Sequence, residues 1–224
     1  MLPLMDRGIF ITLEGVDGSG KTTQLKLLSE WLAENGISPV LTRQPGGTET
    51  GERIRSIVLN SQTSPLAPNA ELALMFADRA QSIHEIILPA IKERRVILCD
   101  RYTDSTEAYQ GGGRQVSLEL IHSLHRLLCD DLQPDLTILL LPSFERSLAR
   151  ARSRNQQTIA EAGPDEDRFE REQDDFHRRV FDQYRAIASR EPDRVLAIEG
   201  DLSIEEVHSR ILAAVRPLVA PLMP

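Results

Sequence analysis

One eight-residue stretch near the start of the chain constrains the fold more than any other feature. Residues 15–22 read Gly-Val-Asp-Gly-Ser-Gly-Lys-Thr, which fits the phosphate-binding pattern G-x-x-x-x-G-K-[ST]. An apolar run at 9–13 precedes it, and residues 22–35 follow with leucines at helical spacing. A strand, a glycine-rich loop and a helix in this order aim backbone N–H groups and the positive helix end at phosphate oxygens. The pattern predicts binding of a nucleoside triphosphate.

The residues of this loop divide into backbone contacts and side chains with separate tasks. The predicted triphosphate contacts are Gly15, Val16, Asp17, Gly18, Ser19, Gly20, Lys21, Thr22 and Thr23. Lys21 is expected to reach the terminal phosphates, and Thr22 is expected to hold Mg²⁺. Asp17 is unusual, because a carboxylate repels phosphate unless it serves another ligand such as a sugar hydroxyl or hydrated Mg²⁺. The alternative is a turn-forming aspartate ahead of a glycine.

Composition narrows the class of protein around this loop. The 224 residues are 41% apolar and 27% charged, which is typical of one globular domain covering 1–224. The net charge of −8 argues against a nucleic-acid-binding surface, and no apolar stretch is long enough to span a membrane. Cys99 and Cys129 form neither a disulfide framework nor a zinc spacing. We expect a cytoplasmic protein with no nucleic-acid or membrane partner, and a frayed, proline-rich tail over 217–224.

Apolar runs alternate with helical patterns along the chain. Strands are predicted at 9–13, 40–43, 96–100, 136–141 and 195–199, and helices at 22–35, 51–59, 69–93, 117–128, 143–152, 169–189 and 204–215. This alternation predicts an α/β fold, with a parallel sheet and helices on both faces. Ligands of such sheets bind beyond the carboxyl ends of the strands. The segment 155–166 has no clear period and is predicted to be a mobile lid, with a plain surface loop as the alternative.

Polar residues follow the second and third predicted strands. Arg43 stands before a Gln-Pro-Gly-Gly turn, where a guanidinium can clamp a phosphate; a surface arginine is the alternative. Asp100 ends the third strand and is predicted to serve Mg²⁺, while Arg101 offers another phosphate donor. Hydrogen-bonding residues then follow at helical spacing, namely Ser105, Thr106, Tyr109 and Gln110. Their uncharged groups suit a neutral base, although a helix cap would also account for Ser105.

Four arginines, at 146, 150, 152 and 154, precede the predicted lid. Arg150 and Arg154 share one helix face if the helix extends that far. A solvated basic face is the common explanation of such a run. In an acidic protein, arginines beside a mobile loop favour an arginine finger that stabilises the transferring phosphoryl group. Arg154 is predicted to be the finger, with Arg150 and Arg152 in support.

The assembled motifs resemble bacterial thymidylate kinase over about residues 9–215. Asp17 provides the acidic loop residue, and residues 43–48 match an Arg-Glu-Pro-Gly-Gly-Thr motif except at Gln44. Residues 100–111 match Asp-Arg-[Tyr/His] followed by Ser-x-x-Ala-Tyr-Gln-Gly. The spaced arginines and residues 167–170 match the lid motif of the family. These motifs in combination are far more specific than the phosphate-binding loop alone.

The resemblance implies a P-loop NTPase fold, a three-layer sandwich around a five-stranded parallel sheet in the order 2-3-1-4-5. It implies phosphoryl transfer from ATP, with Mg²⁺, to dTMP, giving dTDP and ADP on the way to dTTP. It also implies a homodimer, for which an apolar stripe offers a second argument, with packing against the chain's own sheet as the alternative: Leu72, Met75, Ile83, Ile86 and Ile87. Gly18 occupies the loop position that is arginine in the other class of the family, so the chain resembles the class whose lid supplies the catalytic arginine.

The resemblance also assigns binding roles. Arg43 and Arg101 would bind the acceptor phosphate, and Asp17 would serve the sugar 3′-hydroxyl and the metal side. Tyr109 would exclude a 2′-hydroxyl. The thymine-reading set would be Arg79 and Gln110, with Ser105 or Thr106. The lid would add Arg150 and Arg152 at ATP and Asp167 at dTMP. The implied catalytic set is Asp17, Lys21, Arg101 and Arg154, and the metal set is Thr22 and Asp100.

Two features depart from the family, and two other functions remain as alternatives. The family phenylalanine that stacks on thymine is Met75 here; Phe76, one residue later, is predicted to take that role, with Met75 as the alternative. The lid is also longer than usual. Another small P-loop kinase, such as a deoxynucleoside kinase, would need a carboxylate base to deprotonate a hydroxyl. A nucleotide-dependent switch such as a GTPase would carry an Asn-Lys-x-Asp motif, which this sequence lacks.

Overall fold

A computed structural model describes residues 7–60, 65–150, 153, 168–169 and 171–223. Its centre is a parallel five-stranded sheet in the order β2-β3-β1-β4-β5, which confirms the predicted α/β fold and strand order. The strands are β1 (Ile9–Glu14), β2 (Val40–Arg43), β3 (Val96–Asp100), β4 (Leu136–Leu141) and β5 (Val195–Glu199).

The helices connect successive strands. They are α1 (Lys21–Glu34), α2 (Glu49–Leu59), α3 (Pro68–Ser82), α4 (Leu88–Lys92), α5 (Thr103–Thr106), α6 (Leu118–Cys129), α7 (144–150), α8 (Asp174–Arg190) and α9 (Ile204–Val219). A π-helical turn at Ile83–Ile87 joins α3 to α4, and a longer one at Glu107–Gly113 extends α5. No helix in the described ranges is long and apolar enough to cross a membrane.

The alternation of side chains along β1 explains the three layers. Ile9, Ile11 and Leu13 face one side, where they pack with α1 and α9 in one core cluster. Phe10 faces the other side, where it packs with α3, α4 and α6. A third cluster, between β4 and α8, completes that second face. Because each face of the sheet buries its own helices, the polar groups that must reach a ligand are left at the strand ends.

Several sequence-based boundaries need correction. Strand β1 continues to Glu14, and the helix predicted at 69–93 contains the π-turn at Ile83–Ile87. Helix α8 begins at Asp174 rather than at 169. The frayed tail predicted over 217–224 is wrong as far as it is described, because α9 continues to Val219 and a 3₁₀ turn covers Ala220–Leu222. Val219 is fully buried in the α1–α9 cluster, so burial holds this segment in place despite its prolines.

Candidate active site

A large cleft lies at the carboxyl ends of the strands. Its volume is about 1420 Å³, which exceeds the roughly 300–1,000 Å³ of a pocket for one small ligand. The cleft is lined by the loop after β1, the turn after β2, the start of α5 and the loops after β4 and β5. The register pairs Arg43 with Asp100 and Asp100 with Leu13, which brings three strand ends to one level. The cleft therefore has room for two substrates that meet at this edge.

The loop over residues 15–20 has the backbone geometry that its glycines predict. Gly15, Gly18 and Gly20 have φ values of 135°, 76° and 100°, which L side chains rarely adopt. A Cβ on Gly15 would lie 2.3 Å from the carbonyl oxygen of Leu140, so this position also requires glycine for space. The left-handed Gly20 is the N-cap of α1. The loop thus ends directly at a helix N-terminus, as a phosphate site requires.

Lys21 is buried at the start of α1 and is held by the loop itself. Its Nζ donates hydrogen bonds to the carbonyl oxygens of Gly15 and Val16, at 2.9 and 3.0 Å. Burial, and next the charge of Arg101, lower the pKa of Lys21 to about 8, against nearby carboxylates that raise it. An anionic ligand in the loop would favour the charged form of this amine.

Arg101 crosses from the end of β3 to the phosphate-binding loop. Its φ of 69° is unusual for a residue with a side chain. One guanidinium nitrogen donates to the Asp17 carboxylate at 2.6 Å, and the other donates to the carbonyl of Gly15 and to Ser105 Oγ, each at 3.1 Å. The Tyr109 hydroxyl donates to the second Asp17 oxygen at 3.0 Å. Asp17 therefore has partners that compensate its charge inside an anion-binding loop, which answers why a carboxylate is tolerated there.

Arg43 holds an oxyanion in this structure, and the oxyanion belongs to the chain itself. Its Nη2 donates to a carboxylate oxygen of Glu52 at 2.8 Å, and the backbone N–H of Gly47 donates to the other oxygen at 2.8 Å. Burial raises the pKa of Glu52, but the hydrogen bonds from Arg43 and Gly47 outweigh it and lower that pKa. Both Arg43 and Glu52 are about half exposed and line the cleft. The turn after β2 is therefore a cradle for a carboxylate or phosphate oxygen.

Glu14 and Tyr184 are central to the site, although the sequence analysis assigned neither a role. The buried Glu14 carboxylate accepts hydrogen bonds from the Tyr102 N–H and Ser105 Oγ, each at 2.6 Å, and from Tyr184 Oη at 3.0 Å. Burial, and next the charge of Asp104, raise the pKa of Glu14 to about 7. The bond from the Tyr102 N–H fixes the backbone directly after the left-handed Arg101. A charged residue that ends an otherwise apolar strand was the available signal.

The predicted base-reading residues form two layers rather than one. Ser105, Tyr109 and Gln110 line the cleft, together with Gln44. Arg79 and Thr106 are fully buried and lie behind this lining. The Arg79 guanidinium donates to Gln44 Oε1 at 2.9 Å, to Thr106 Oγ1 at 2.8 Å and to the Tyr102 carbonyl at 3.1 Å. The structure thus brings Arg79 and Gln110 to the same end of the cleft, with Gln44 between Arg79 and the space.

The predicted stacking role of Phe76 is wrong in this structure. Phe76 is fully buried in the cluster that α3 forms with the sheet, and the Arg79 guanidinium lies over its ring at 4.9 Å. Met75 lines the cleft instead, together with Phe169. The Phe169 ring meets Tyr109 edge to face at 5.4 Å. Successive helical residues point about 100° apart, so a shift of one residue exchanges the core face for the cleft face.

Buried polar atoms without protein partners mark where a ligand would contact the cleft. Five such atoms belong to residues that line the cleft, and none of them bonds to a residue that the structure describes: Ser19 Oγ, Thr42 Oγ1, Gln44 Nε2, Asp100 Oδ1 and Gln110 Oε1. A sixth, Arg79 Nη1, lies behind Gln44. Leaving such groups unsatisfied costs about 1–3 kcal/mol each. They include donors and acceptors in close proximity, which is the pattern expected of a recognition site.

A separate apolar wall lies beyond the phosphate-binding loop. It is made by Leu25, Ile198, Leu202, Ile204 and Val207, from α1, β5 and the start of α9. The carbonyl oxygen of Ile204 accepts a hydrogen bond from Gln24 at 2.9 Å, which links the start of α9 to α1. This wall was not predicted, because its members look like ordinary core residues in the sequence.

The lid predictions mostly fall outside the described residues. Arg150 is exposed on α7 and lines the cleft, as does Arg146, whose Nη1 lies 3.7 Å from Asp201. Arg152, Arg154 and Asp167, with most of the predicted lid at 153–168, lie outside what the structure describes. Their predicted roles therefore stay predictions. The two described arginines show that α7 points basic side chains at the cleft.

Comparisons with known proteins agree with this geometry. The family model for thymidylate kinase matches residues 13–211. A thymidylate kinase of Pelobacter propionicus is 45% identical over 208 residues, covering 93% of this chain and 94% of that protein. One from Pelotomaculum thermopropionicum is 46% identical over 208 residues, covering 93% of each. The crystal structure of a thymidylate kinase from Ehrlichia chaffeensis has a TM-score of 0.72 at 33% identity, covering 93% of this chain and 98% of that one.

Proposed function

The chain belongs to the thymidylate kinase family, and we propose that the cleft carries out the family reaction with the residues assigned below. The chain phosphorylates dTMP with ATP, giving dTDP and ADP. The observation that carries the residue assignment is the placement of Arg43 and Arg101 at the ends of β2 and β3, the two strands on one side of the phosphate-binding loop. An acceptor that is already a phosphate needs such clamps rather than a general base.

On the donor side, the loop over 15–20 and the N-terminus of α1 bind the triphosphate through backbone N–H groups. Lys21 releases its two carbonyl partners and turns to the terminal phosphates. Thr22 and Asp100 hold the Mg²⁺ side, because Asp100 Oδ1 is buried and bonds to no described residue. No cluster of three acidic, histidine or cysteine residues in the described ranges could hold a metal alone. A bound Mg²⁺ would neutralise developing charge and take its other ligands from phosphate and water.

On the acceptor side, Arg43 and Arg101 clamp the dTMP phosphate. The phosphate takes the place of the Glu52 carboxylate at Arg43 and of part of the Asp17 contact at Arg101. Asp17, once released from Arg101, faces the sugar 3′-hydroxyl, and Tyr109 leaves no room for a 2′-hydroxyl. The polar groups of Gln44 and Gln110 read the thymine edge, and Arg79 acts from behind Gln44, to which it donates a hydrogen bond. Met75 and Phe169 supply the apolar walls, in place of the Phe76 contact expected from the sequence.

The lid completes the charge balance. Gly18 leaves the phosphate-binding loop without an arginine, so the remaining positive charge must come from α7 and the segment after it. Arg154 supplies the finger, with Arg150 and Arg152 in support and Asp167 on the dTMP side. The basic side chains that α7 already places at the cleft support this assignment.

We further propose a cytoplasmic homodimer of one domain per chain. The apolar stripe on α3 that first suggested a dimer is largely buried within the chain: Leu72, Met75, Ile83 and Ile87 belong to its own core clusters. Leu120 and Leu127, seven residues apart on one face of α6, are 41% and 77% exposed and are the better candidates for a dimer contact. Both cysteines are buried thiols, which suits a reducing compartment.

An acceptor panel tests this function. ADP formation from MgATP is measured with dTMP, dUMP, dCMP and deoxythymidine as acceptors. We expect dTMP to be the best acceptor and deoxythymidine to be inert, because the bare nucleoside offers nothing for Arg43 and Arg101 to clamp. Comparable turnover of deoxythymidine would identify a nucleoside kinase instead, and nucleotide hydrolysis without any acceptor would favour a switch.

A further inference from the structure

A buried carboxylate that plays no part in the mechanism above lies behind the base end of the cleft. Glu71, in the first turn of α3, has no exposed surface. One of its oxygens accepts a hydrogen bond from Gln110 Nε2 at 2.9 Å. Gln110 belongs to the π-helical turn at Glu107–Gly113 and lines the cleft. Glu71 is therefore in contact with a side chain that faces the acceptor.

Two arginines compensate the charge of Glu71. Arg114 Nε donates to both of its carboxylate oxygens, at 3.2 and 3.3 Å, and Arg168 Nη2 lies 3.7 Å from one of them. Guanidinium groups can only donate hydrogen bonds, so both oxygens must act as acceptors toward them. Arg114 also pairs with a second carboxylate, because its Nη1 donates to a carboxylate oxygen of Glu172 at 2.5 Å. Glu71 thus presents an acceptor-only surface to Gln110.

This surface determines how the Gln110 amide is turned. An amide has a donor NH₂ group on one side and an acceptor oxygen on the other. If the amide were reversed, its oxygen would face the carboxylate, and two acceptors would repel each other without a proton between them. The NH₂ group must therefore face Glu71. Gln110 Oε1 is left on the other side, buried and without a bond to any residue in the described ranges.

We propose that Glu71 is a positioning residue that sets the orientation of Gln110 and thereby makes the acceptor pocket select a pyrimidine with a ring N–H at N3. Thymine and uracil carry that N–H and would satisfy the buried, unpaired Oε1 oxygen. Cytosine carries a lone pair at N3, which faces the same oxygen as a second acceptor. Rejection by an unpaired buried polar group is stronger than rejection by shape alone. The inference rests on the proposed assignment of Gln110 to the acceptor base.

The test compares kcat/KM for dTMP, dUMP and dCMP in the wild type and in Glu71→Gln. The new amide can face Arg114 with its oxygen and Gln110 with its NH₂ group, which allows the Gln110 amide to reverse. We expect the ratio of kcat/KM for dTMP over dCMP to fall by about 10- to 100-fold. The ratio for dTMP over dUMP should stay within about threefold, because both bases present the same edge. Both ratios are independent of the fraction of folded enzyme.

Two further variants separate orientation from general damage to the fold. Glu172→Gln makes the same chemical change at the other partner of Arg114 and should leave both ratios unchanged. Glu71→Asp keeps an acceptor-only group and should keep the dTMP over dCMP ratio, even if turnover falls. Should Glu71→Gln not fold, Gln110→Leu decides, because removing the oriented oxygen should lower the same ratio.

Each outcome has a definite meaning. A wild type that does not use dTMP would overturn the proposed function. A selective wild type whose dTMP over dCMP ratio is unchanged in Glu71→Gln, or in Gln110→Leu, would leave the function standing and overturn the role of Glu71. A fall of equal size in Glu172→Gln would mean that the ion-pair network acts through the fold and not through the amide of Gln110.

Discussion

The donor and acceptor halves of the cleft are built by different means. The proposed donor half is a run of consecutive residues at 15–23, in which glycine backbone conformations and one helix N-terminus would do most of the binding. The acceptor half collects side chains from β2, α3, β3 and the α5 segment. Those side chains are held by buried partners, chiefly Glu14, Gln44 and Glu71.

The difference teaches where specificity can reside. Every nucleoside triphosphate presents the same phosphates, so a backbone cradle suffices on the donor side. One base must be told from another on the acceptor side, and that requires side-chain donors and acceptors held in fixed orientations. Substitutions in the donor half should therefore affect turnover, whereas those in the acceptor half should affect which acceptor binds and how tightly.

The largest effect is expected from the lid. Arg154→Ala should lower kcat by about 10³–10⁵-fold, as loss of a finger arginine does in related phosphoryl transfers. Its contact should form mainly in the transition state, so the KM for dTMP should change far less. Steady-state kinetics of this variant, beside Arg126→Ala on the surface of α6, measures both quantities. A kcat within about threefold of the wild type, under 1 kcal/mol in barrier height, would rule out this position as the finger.

A smaller but still severe loss is expected at the loop lysine. Lys21→Ala should lower kcat by at least about 10²–10³-fold, because one charged donor to the transferring phosphoryl group is lost. Its Nζ donates hydrogen bonds to two loop carbonyls and the side chain belongs to no apolar core cluster of the described residues, so the fold should persist. Lys26→Ala, an exposed lysine on the same helix, is the matched control and should be silent. A circular-dichroism spectrum that collapses in the Lys21 variant alone would show that the residue is structural.

The stability of the protein should depend on pH through a buried histidine that packs behind the acceptor half. His125, on α6, is buried beside Thr103, the first residue of α5, with 3.2 Å between Nδ1 and the Thr103 hydroxyl. Burial, and next the charge of Arg79, lower the pKa of His125 from 6.5 to about 4, although Asp131 and Asp104 oppose this. A depressed histidine pKa means that the unfolded chain binds the proton more readily. Stability from this group is present above pH 6.5 and is lost as the pH falls towards 4.

Urea unfolding of the wild type and of His125→Gln at pH 8 and pH 5 isolates that contribution. The wild type should lose about 2 kcal/mol more than the variant between the two pH values. Other groups titrate equally in both proteins and cancel in the difference. Equal losses in the two proteins would show that His125 does not couple protonation to folding.

The same contrast explains how much the sequence could predict. The backbone geometry of the loop at 15–20 could be predicted because its residues are consecutive and its glycines adopt conformations that other residues rarely adopt. Glu14 and Glu71 were missed because their partners lie far along the chain: Ser105 is 91 residues from Glu14, and Gln110 is 39 residues from Glu71. In the sequence, a buried glutamate looks like a surface residue, because its hydrogen-bond donors are not known.

The two wrong predictions have local causes. Phe76 and Met75 differ by one helical position, and only the packing of α3 on the sheet decides which of them faces the cleft. The tail was expected to fray because of its prolines, but α9 accommodates Pro217 while Val215 and Val219 stay buried on either side. In both cases tertiary packing outweighed a local sequence pattern. A single sequence shows the local pattern but not the packing.

Arg43→Ala tests the separation of the two halves most directly. Arg43 is 49% exposed and pairs with Glu52, so its removal should not disturb the fold. Calorimetric titration should show dTMP binding weakened by about 10- to 100-fold, the value of a charged hydrogen-bonded contact. ATP binding should stay within about threefold of the wild type, as should both affinities in Arg53→Ala, the exposed arginine of the Arg53–Glu49 pair on α2. Equal weakening of ATP and dTMP, or unchanged dTMP binding, would contradict the account.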